Sequence, residues 1–271
     1  RYIVFDPTRQ EDAARFLRLQ HDIRGAAARS ELYLLYQPIL DLTEEKLVGF
    51  EALARWKHPE FGQVFPDEFI PLAEQTGAIL DLGVWALNEA CRQLMAWRRE
   101  GVTGQDISVA VNVSPLQVAN GTLIADVQRA LAQSGLLAAN LKIELTESAM
   151  LHDGEATTAL FAGLQKLGVR VNLDDFGTGY SSFSQIALLP LDALKVDRSF
   201  ITQMRPGNRF EKVVRSIIRL ADALDLDIII EGVETEDQRD ILRSMNAGYV
   251  QGYFYARPLP ADDAPGFRAP R

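Results

Sequence analysis

The 271-residue chain has a single cysteine, Cys91, so no disulfide framework can form and a reducing compartment is expected. Cys91 falls inside a helical pattern and reads as a small buried hydrophobe. Histidine is nearly as scarce: His21, His58 and His152 form no HxH or HExxH spacing, which speaks against a histidine-based zinc site. No apolar run is long enough to span a bilayer, and no secretory signal opens the chain. Low-complexity tracts, sequence-level repeats and internal linkers are absent too. Excess positive charge is also missing. With 28 Lys+Arg against 37 Asp+Glu the formal net charge is -9, and the pI is about 5.0. That argues against duplex nucleic acid or an anionic membrane as a partner, but not against a small anion held through metal ions.

What is present is enough apolar content, 47%, to bury a full core in one barrel-sized domain or two smaller ones. Strands and helices alternate along most of it. Apolar runs at residues 32–39, 46–54, 107–113, 141–145, 169–173, 191–196, 228–230 and 249–253 read as strands. Helical spacing covers 11–29, a segment opening at Pro66, 83–99, 123–133, 155–166, 181–188, 210–224 and 236–245; residues 56–65 read as loop. About eight strands with intervening helices predict an α/β fold, a (β/α)8 TIM-like barrel. The first two strands are joined by a short turn at 41–45, so the first strand is expected to be antiparallel and the barrel irregular there.

The strand ends carry the chemistry. In order they are Glu51, Asn112, Glu144 with Glu147, Asp174 with Asp175, Lys195 with Asp197, Glu231 with Glu234, and Gln251. A barrel opens all its strand C-termini onto one face, so these residues would meet at one mouth. One acid at a strand end is usually a helix cap or a solvated turn residue. A whole series of acids and amides would repel itself without cations. Oxygen donors select Mg2+ or Mn2+, and paired ions of this kind serve phosphoester hydrolysis. Lys195, alone among acids, suits a phosphoryl oxygen or an attacking water, and ranks lower as a counter-ion for Asp197 or Asp175. Gly177-Thr178-Gly179 lacks the rest of a phosphate-loop fingerprint. The sequon at Asn112 is discounted for want of a secretory signal.

Together the motifs resemble the EAL domain family, which hydrolyses cyclic di-GMP to linear pGpG. The resemblance runs through Gln37-Pro38-Ile39, Glu51-Ala52-Leu53, Asn112-Val113-Ser114, Glu144-Leu145-Thr146-Glu147, Asp174-Asp175-Phe176-Gly177, Lys195-Val196-Asp197, Glu231-Gly232-Val233-Glu234 and Gln251-Gly252-Tyr253. It covers residues 15–262, leaving 1–14 as a linker from an upstream domain and 263–271 as a tail. It implies that Glu51, Asn112, Glu144 and Asp174 hold a first Mg2+ or Mn2+, and that Asp174, Asp175 and Glu231 hold a second. Lys195, Glu231 and Gln251 would be catalytic, with Lys195 and Gln251 positioning the water. Gln37, Leu53, Arg55 and Asp197 would contact substrate, and Glu147 would tie down the loop beginning at Phe176. A homodimer through residues 176–188 is also implied. So are an upstream GGDEF or sensor domain and a cytoplasmic location, within a membrane-anchored or soluble parent. The opening at Arg1 is expected to mark a fragment of that parent. A cyclic di-GMP receptor, or another Mg2+-dependent barrel enzyme such as one stabilising an enolate, are the competing readings.

Overall fold

The computed structural model describes residues 7–150, 154–177 and 186–269. Helix α1 (Pro7–Asp22) leads into β1 (Leu32–Asp41) and β2 (Lys46–His58). There follow β3 (Gly62–Val64), α2 (Pro66–Thr76), α3 (Ile79–Arg99), β4 (Ser108–Val113), α4 (Pro115–Asn120) and α5 (Leu123–Ser134). The chain continues through β5 (Leu141–Thr146), α6 (Gly154–Leu167), β6 (Arg170–Phe176) and β7 (Ala193–Val196). It ends with α7 (Arg198–Thr202), α8 (Arg209–Ala223), β8 (Asp227–Ile230), α9 (Glu236–Ser244) and β9 (Tyr249–Val250).

Strand β1 pairs antiparallel with both β2 and β9, and from β2 through β4 to β9 every neighbouring pair is parallel. That double pairing closes an eight-stranded barrel, with β3 as an outer hairpin partner of β2. The antiparallel first strand is therefore as expected. The segment expected to be loop at 56–65 is instead the end of β2 and all of β3. Its Trp56 and His58 are buried beneath α1, with His58 Nε2 3.1 Å from Asp22 Oδ2. Strand β6 also runs further than the apolar pattern, through both aspartates to Phe176. The final strand is shorter than expected, two residues, because Gln251 already bends toward the mouth.

The core follows from the strand alternation. Outward residues such as Phe50, Val109, Ile143, Leu173, Leu194 and Ile230 pack under the helices. Inside the barrel, Ile39, Ala193 and Ile229 form a small apolar plug. Above that plug the inward positions turn polar. The short helix expected at 181–188 and the loop at 178–182 fall almost wholly outside the described residues, as does His152.

Candidate active site

Lys195 follows the inward Ala193 on β7 and stands above the apolar plug with no exposed surface. Its Nζ lies 2.6 Å from Glu144 Oε2, 2.8 Å from Glu231 Oε1, 3.1 Å from Asp174 Oδ1 and 3.5 Å from Glu51 Oε2. Two amides complete the ring. Asn112 Nδ2 donates to Glu51 Oε1 at 2.7 Å, and Gln251 Nε2 donates to Glu51 Oε2 at 2.7 Å and to Glu231 Oε1 at 3.1 Å. Seven strand-end residues far apart in sequence thus converge on one point. Lys195 is a counter-ion here, within 3.5 Å of these four acids and acting on Asp175 through its charge. It supplies part of the positive charge that the acids demand, a role ranked low on sequence grounds.

Adjacent strand residues normally face opposite sides, yet Asp174 and Asp175 both belong to the mouth. The register of β6 against β7 slips between Leu173 and Phe176, and Asp175 takes a left-handed φ of 55°. Such a bulge re-aims one side chain at a modest backbone cost. Just beyond it, Glu147 Oε1 accepts the Gly177 amide at 2.9 Å, anchoring the start of the following loop. Gly177 has φ 95°, and a Cβ there would meet the Phe200 ring at 2.7 Å.

Burial and crowding set the protonation energetics. Burial, with Glu51 and Asp174 adding to it, drives the Glu144 carboxyl well above its ordinary value despite Lys195. Glu231 is pushed up to about 7, first by burial and then, against the pull of Lys195, by Asp174 and Glu51. Burial, Asp174 and Asp197 also raise Asp175. Glu51 goes the other way: burial opposes its charge, but Lys195 and the Gln251 and Asn112 amides outweigh it. Lys195 is held well above its usual range, its burial overcome by Asp174, Glu144, Glu231 and Glu51.

The remaining expected residues ring this centre. Gln37 lies opposite Glu51 on β1 and donates to Ala256 O at 3.3 Å. Leu53 and Arg55 line a cavity of about 270 Å3 beside Asn112, and burial pulls the Arg55 guanidinium below its ordinary value. Asp197 caps α7 by accepting the Ser199 amide, and Glu234 is an exposed residue ahead of α9 rather than a member of the cluster. Asn172 was not anticipated. It sits under Glu144, donating to Oε1 at 3.3 Å while its own Oδ1 is buried without a partner. A polar residue two positions before Asp174, in phase with it along a buried strand, was the available signal.

Among the described residues no three acidic, histidine or cysteine side chains are grouped to hold a metal; the carboxylates are gathered on the lysine instead. The donor chemistry nevertheless fits hard cations. Glu51, Glu144, Asp174, Asp175 and Glu231 all act in the field of one lysine, and burial first, then the neighbouring acids, raise Glu144, Asp175 and Glu231, an environment that a bound cation would offset. The buried, unpartnered Gln251 Oε1 is a further oxygen donor at the cluster.

The family model described as EAL domain matches residues 20–258. The chain belongs to the EAL domain family. It is 40% identical over 261 residues to the bifunctional diguanylate cyclase/cyclic di-GMP phosphodiesterase MucR of Pseudomonas aeruginosa, covering 96% of this chain and 38% of that protein. To the cyclic di-GMP phosphodiesterase NbdA of the same organism it is 42% identical, covering 92% of this chain and 31% of the relative. The chain thus spans about a third of these relatives' length. Among solved structures, the MucR phosphodiesterase in complex with cyclic di-GMP matches with a TM-score of 0.86 at 40% identity, over 91% of this chain and 99% of that one. The EAL enzyme Bd1971, bound to cAMP and cyclic di-GMP, matches with a TM-score of 0.87 at 30% identity, over 94% and 69%. The barrel is the fold these EAL structures share.

Proposed function

We propose that this EAL domain is a metal-dependent phosphodiesterase that opens cyclic di-GMP to linear pGpG. The observation that carries the reading is the ring of acids and amides around Lys195, directly beside a cavity lined by Leu53 and Arg55. Glu51, Asn112, Glu144 and Asp174 would hold one Mg2+ or Mn2+, and Asp174, Asp175 and Glu231 a second. Bound there, the ions supply charge neutralisation and a water acidic enough to attack phosphorus near neutral pH.

The chain's own groups do the rest. Gln251 and Lys195 stand between Glu51 and Glu231, where they orient the attacking water in line with the scissile bond. Arg55 presents a half-buried guanidinium whose ordinary charge is opposed by burial, so a phosphate oxygen is a favourable partner. Gln37, Leu53 and Asp197 would contact the nucleotide, and Glu147, which accepts the Gly177 amide, would hold the start of the loop after β6. Dimerisation through residues 176–188 and an upstream GGDEF or sensor domain belong to the same proposal; the greater length of the relatives supports the latter. Among the described residues no helix is long and apolar enough to cross a membrane.

The test is incubation of the purified domain with cyclic di-GMP and Mg2+ or Mn2+, with EDTA and Glu51→Ala controls, and product analysis by chromatography. Metal-dependent pGpG formation, lost in the variant, is the expected result. Tight binding without turnover in either metal would overturn the enzyme and leave a cyclic di-GMP receptor.

A further inference from the structure

The cavity beside Asn112 extends outward between β2, β4 and the helices α2, α3 and α4. Its walls are largely apolar, contributed by residues such as Ile70, Leu82 and Val113; Arg55, Asn112, Ser114 and Thr146 add polar groups, as do Glu74 and Gln117. Glu74, from α2, uses one oxygen: Ser114 Oγ donates to Oε1 at 2.6 Å, and among the described residues no hydrogen bond reaches Oε2. Gln117, from α4, is only 6% exposed. Its Oε1 accepts the Ser114 amide at 3.1 Å in a capping box, which fixes the orientation of the side-chain amide. Nε2 is therefore the end left over, and no hydrogen bond from it is made among the described residues. The room for it is made by Gly83 on α3, where a Cβ would lie 1.9 Å from Nε2.

A free carboxylate oxygen and a free amide donor on one largely apolar cavity form a complementary pair. Guanine presents N1–H and N2–H donors beside the O6 acceptor; adenine presents an N1 acceptor beside an N6–H donor. We propose that Glu74 and Gln117 are specificity-determining residues that read the base edge of one guanine of the substrate. Glu74 accepts from N1–H and N2–H, and Gln117 Nε2 donates to O6. This inference rests on the proposed phosphodiesterase reading and adds to it the choice of base.

The capping contacts suggest variants that retain the fold. Glu74→Gln keeps an oxygen for Ser114 Oγ, and Gln117→Glu keeps an oxygen for the Ser114 amide. The experiment compares kcat and KM for cyclic di-GMP and cyclic di-AMP, in wild type, each single variant and the double swap, with melting curves for all four. Each single variant is expected to raise KM for cyclic di-GMP about tenfold or more, with a smaller change for cyclic di-AMP, so that the ratio of kcat/KM values collapses. The double swap, which exchanges donor and acceptor, is expected to shift that ratio further toward cyclic di-AMP. Equal losses on both substrates, or a ratio within twofold of wild type in both single variants, would overturn the assignment. A wild-type domain that turns over neither dinucleotide would instead sink the phosphodiesterase reading. In that case the same variants are compared by equilibrium binding of the two dinucleotides, with an unchanged affinity ratio again overturning the assignment.

Discussion

Lys195 and Glu144 meet inside the barrel, Nζ to Oε2 at 2.6 Å, and neither side chain retains any exposed surface. An isolated pair in such a place gains little over an apolar substitute, because desolvation of both ions offsets their attraction. Here the lysine also serves Glu231, Asp174 and Glu51. Its removal would take from these four buried acids the ammonium group that lies within 3.5 Å of each.

Lys195→Met is accordingly expected to abolish turnover and to destabilise the metal-free domain by about 3–5 kcal/mol, the usual cost of stranding buried charge. Added Mn2+ should recover more of the melting temperature in the variant than it adds to wild type, since it replaces the missing cation. Melting curves in EDTA and in Mn2+ check this. An unchanged melting temperature in EDTA would show that the ion cluster does not hold the barrel mouth together.

Glu231 gives a pH dependence of known sign. Its folded-state value, raised to about 7, exceeds the unfolded one, so the folded protein binds the extra proton between about 4.5 and 7. The contribution of Glu231 to stability therefore falls as pH rises through that window. Glu231→Gln, which cannot ionise, removes this term. The stability difference between variant and wild type in EDTA is expected to grow in the variant's favour from pH 5 to pH 7 and to shrink when Mn2+ is present, and denaturant titrations across the range measure it.

Asp175 separates backbone from charge. Its left-handed φ of 55° suits Asn nearly as well as Asp, and a β-branched residue poorly. Asp175→Asn should retain or slightly raise the melting temperature, since burial, Asp174 and Asp197 disfavour the ionised form, while turnover falls at least tenfold. Asp175→Val should lose activity and a further ~1–2 kcal/mol of stability. Equal stability for the two variants would remove the bulge from the account of how both aspartates reach the mouth.

The barrel and most of its mouth were legible because strand-end chemistry is local in sequence. Asn112, Glu144 and Gln251 each follow an apolar run directly, and the closed barrel does the gathering. What was not legible depends on register and on packing between elements. The strand pairing of residues 56–64 was hidden because the groups that bury Trp56 and His58, Leu19 and Asp22 of α1 among them, are distant in sequence, and the alternation of buried Trp56, exposed Lys57 and buried His58 is too short and too polar to stand out. The bulge at Asp175 leaves no mark in composition. Glu74 and Gln117 lie on helices, where no strand-end rule points, and the free end of Gln117 is defined only by its capping box. The counter-ion role of Lys195 needed distances, because on sequence grounds metal ions already supply positive charge to the acids and the lysine ranks first as a ligand of a phosphoryl oxygen or of water.

Gly252 tests how the mouth is closed between β8 and β9. Gln251 reaches Glu231 at 3.1 Å only because the next residue passes hard against the chain at Val233, whose amide donates to Gln251 O at 3.2 Å. A Cβ on residue 252 would stand 2.1 Å from Val233 O and 2.3 Å from Val233 N, and backbone atoms cannot rotate away as a flexible side chain can. Gly252→Ala must therefore push the two segments apart, which moves Gln251 off Glu231 and Glu51. The expected cost lies at the upper end of the ~1–3 kcal/mol of an overpacked site, with turnover reduced along with it. Gly266→Ala is the control: no atom lies within 4 Å of its Cβ position, and a change within about 0.5 kcal/mol is expected there. Urea midpoints and steady-state rates for the pair measure both. A Gly252→Ala protein as stable and active as the control would mean that the 231–233 segment can yield without disturbing Gln251, and that the tight crossing is not what positions it.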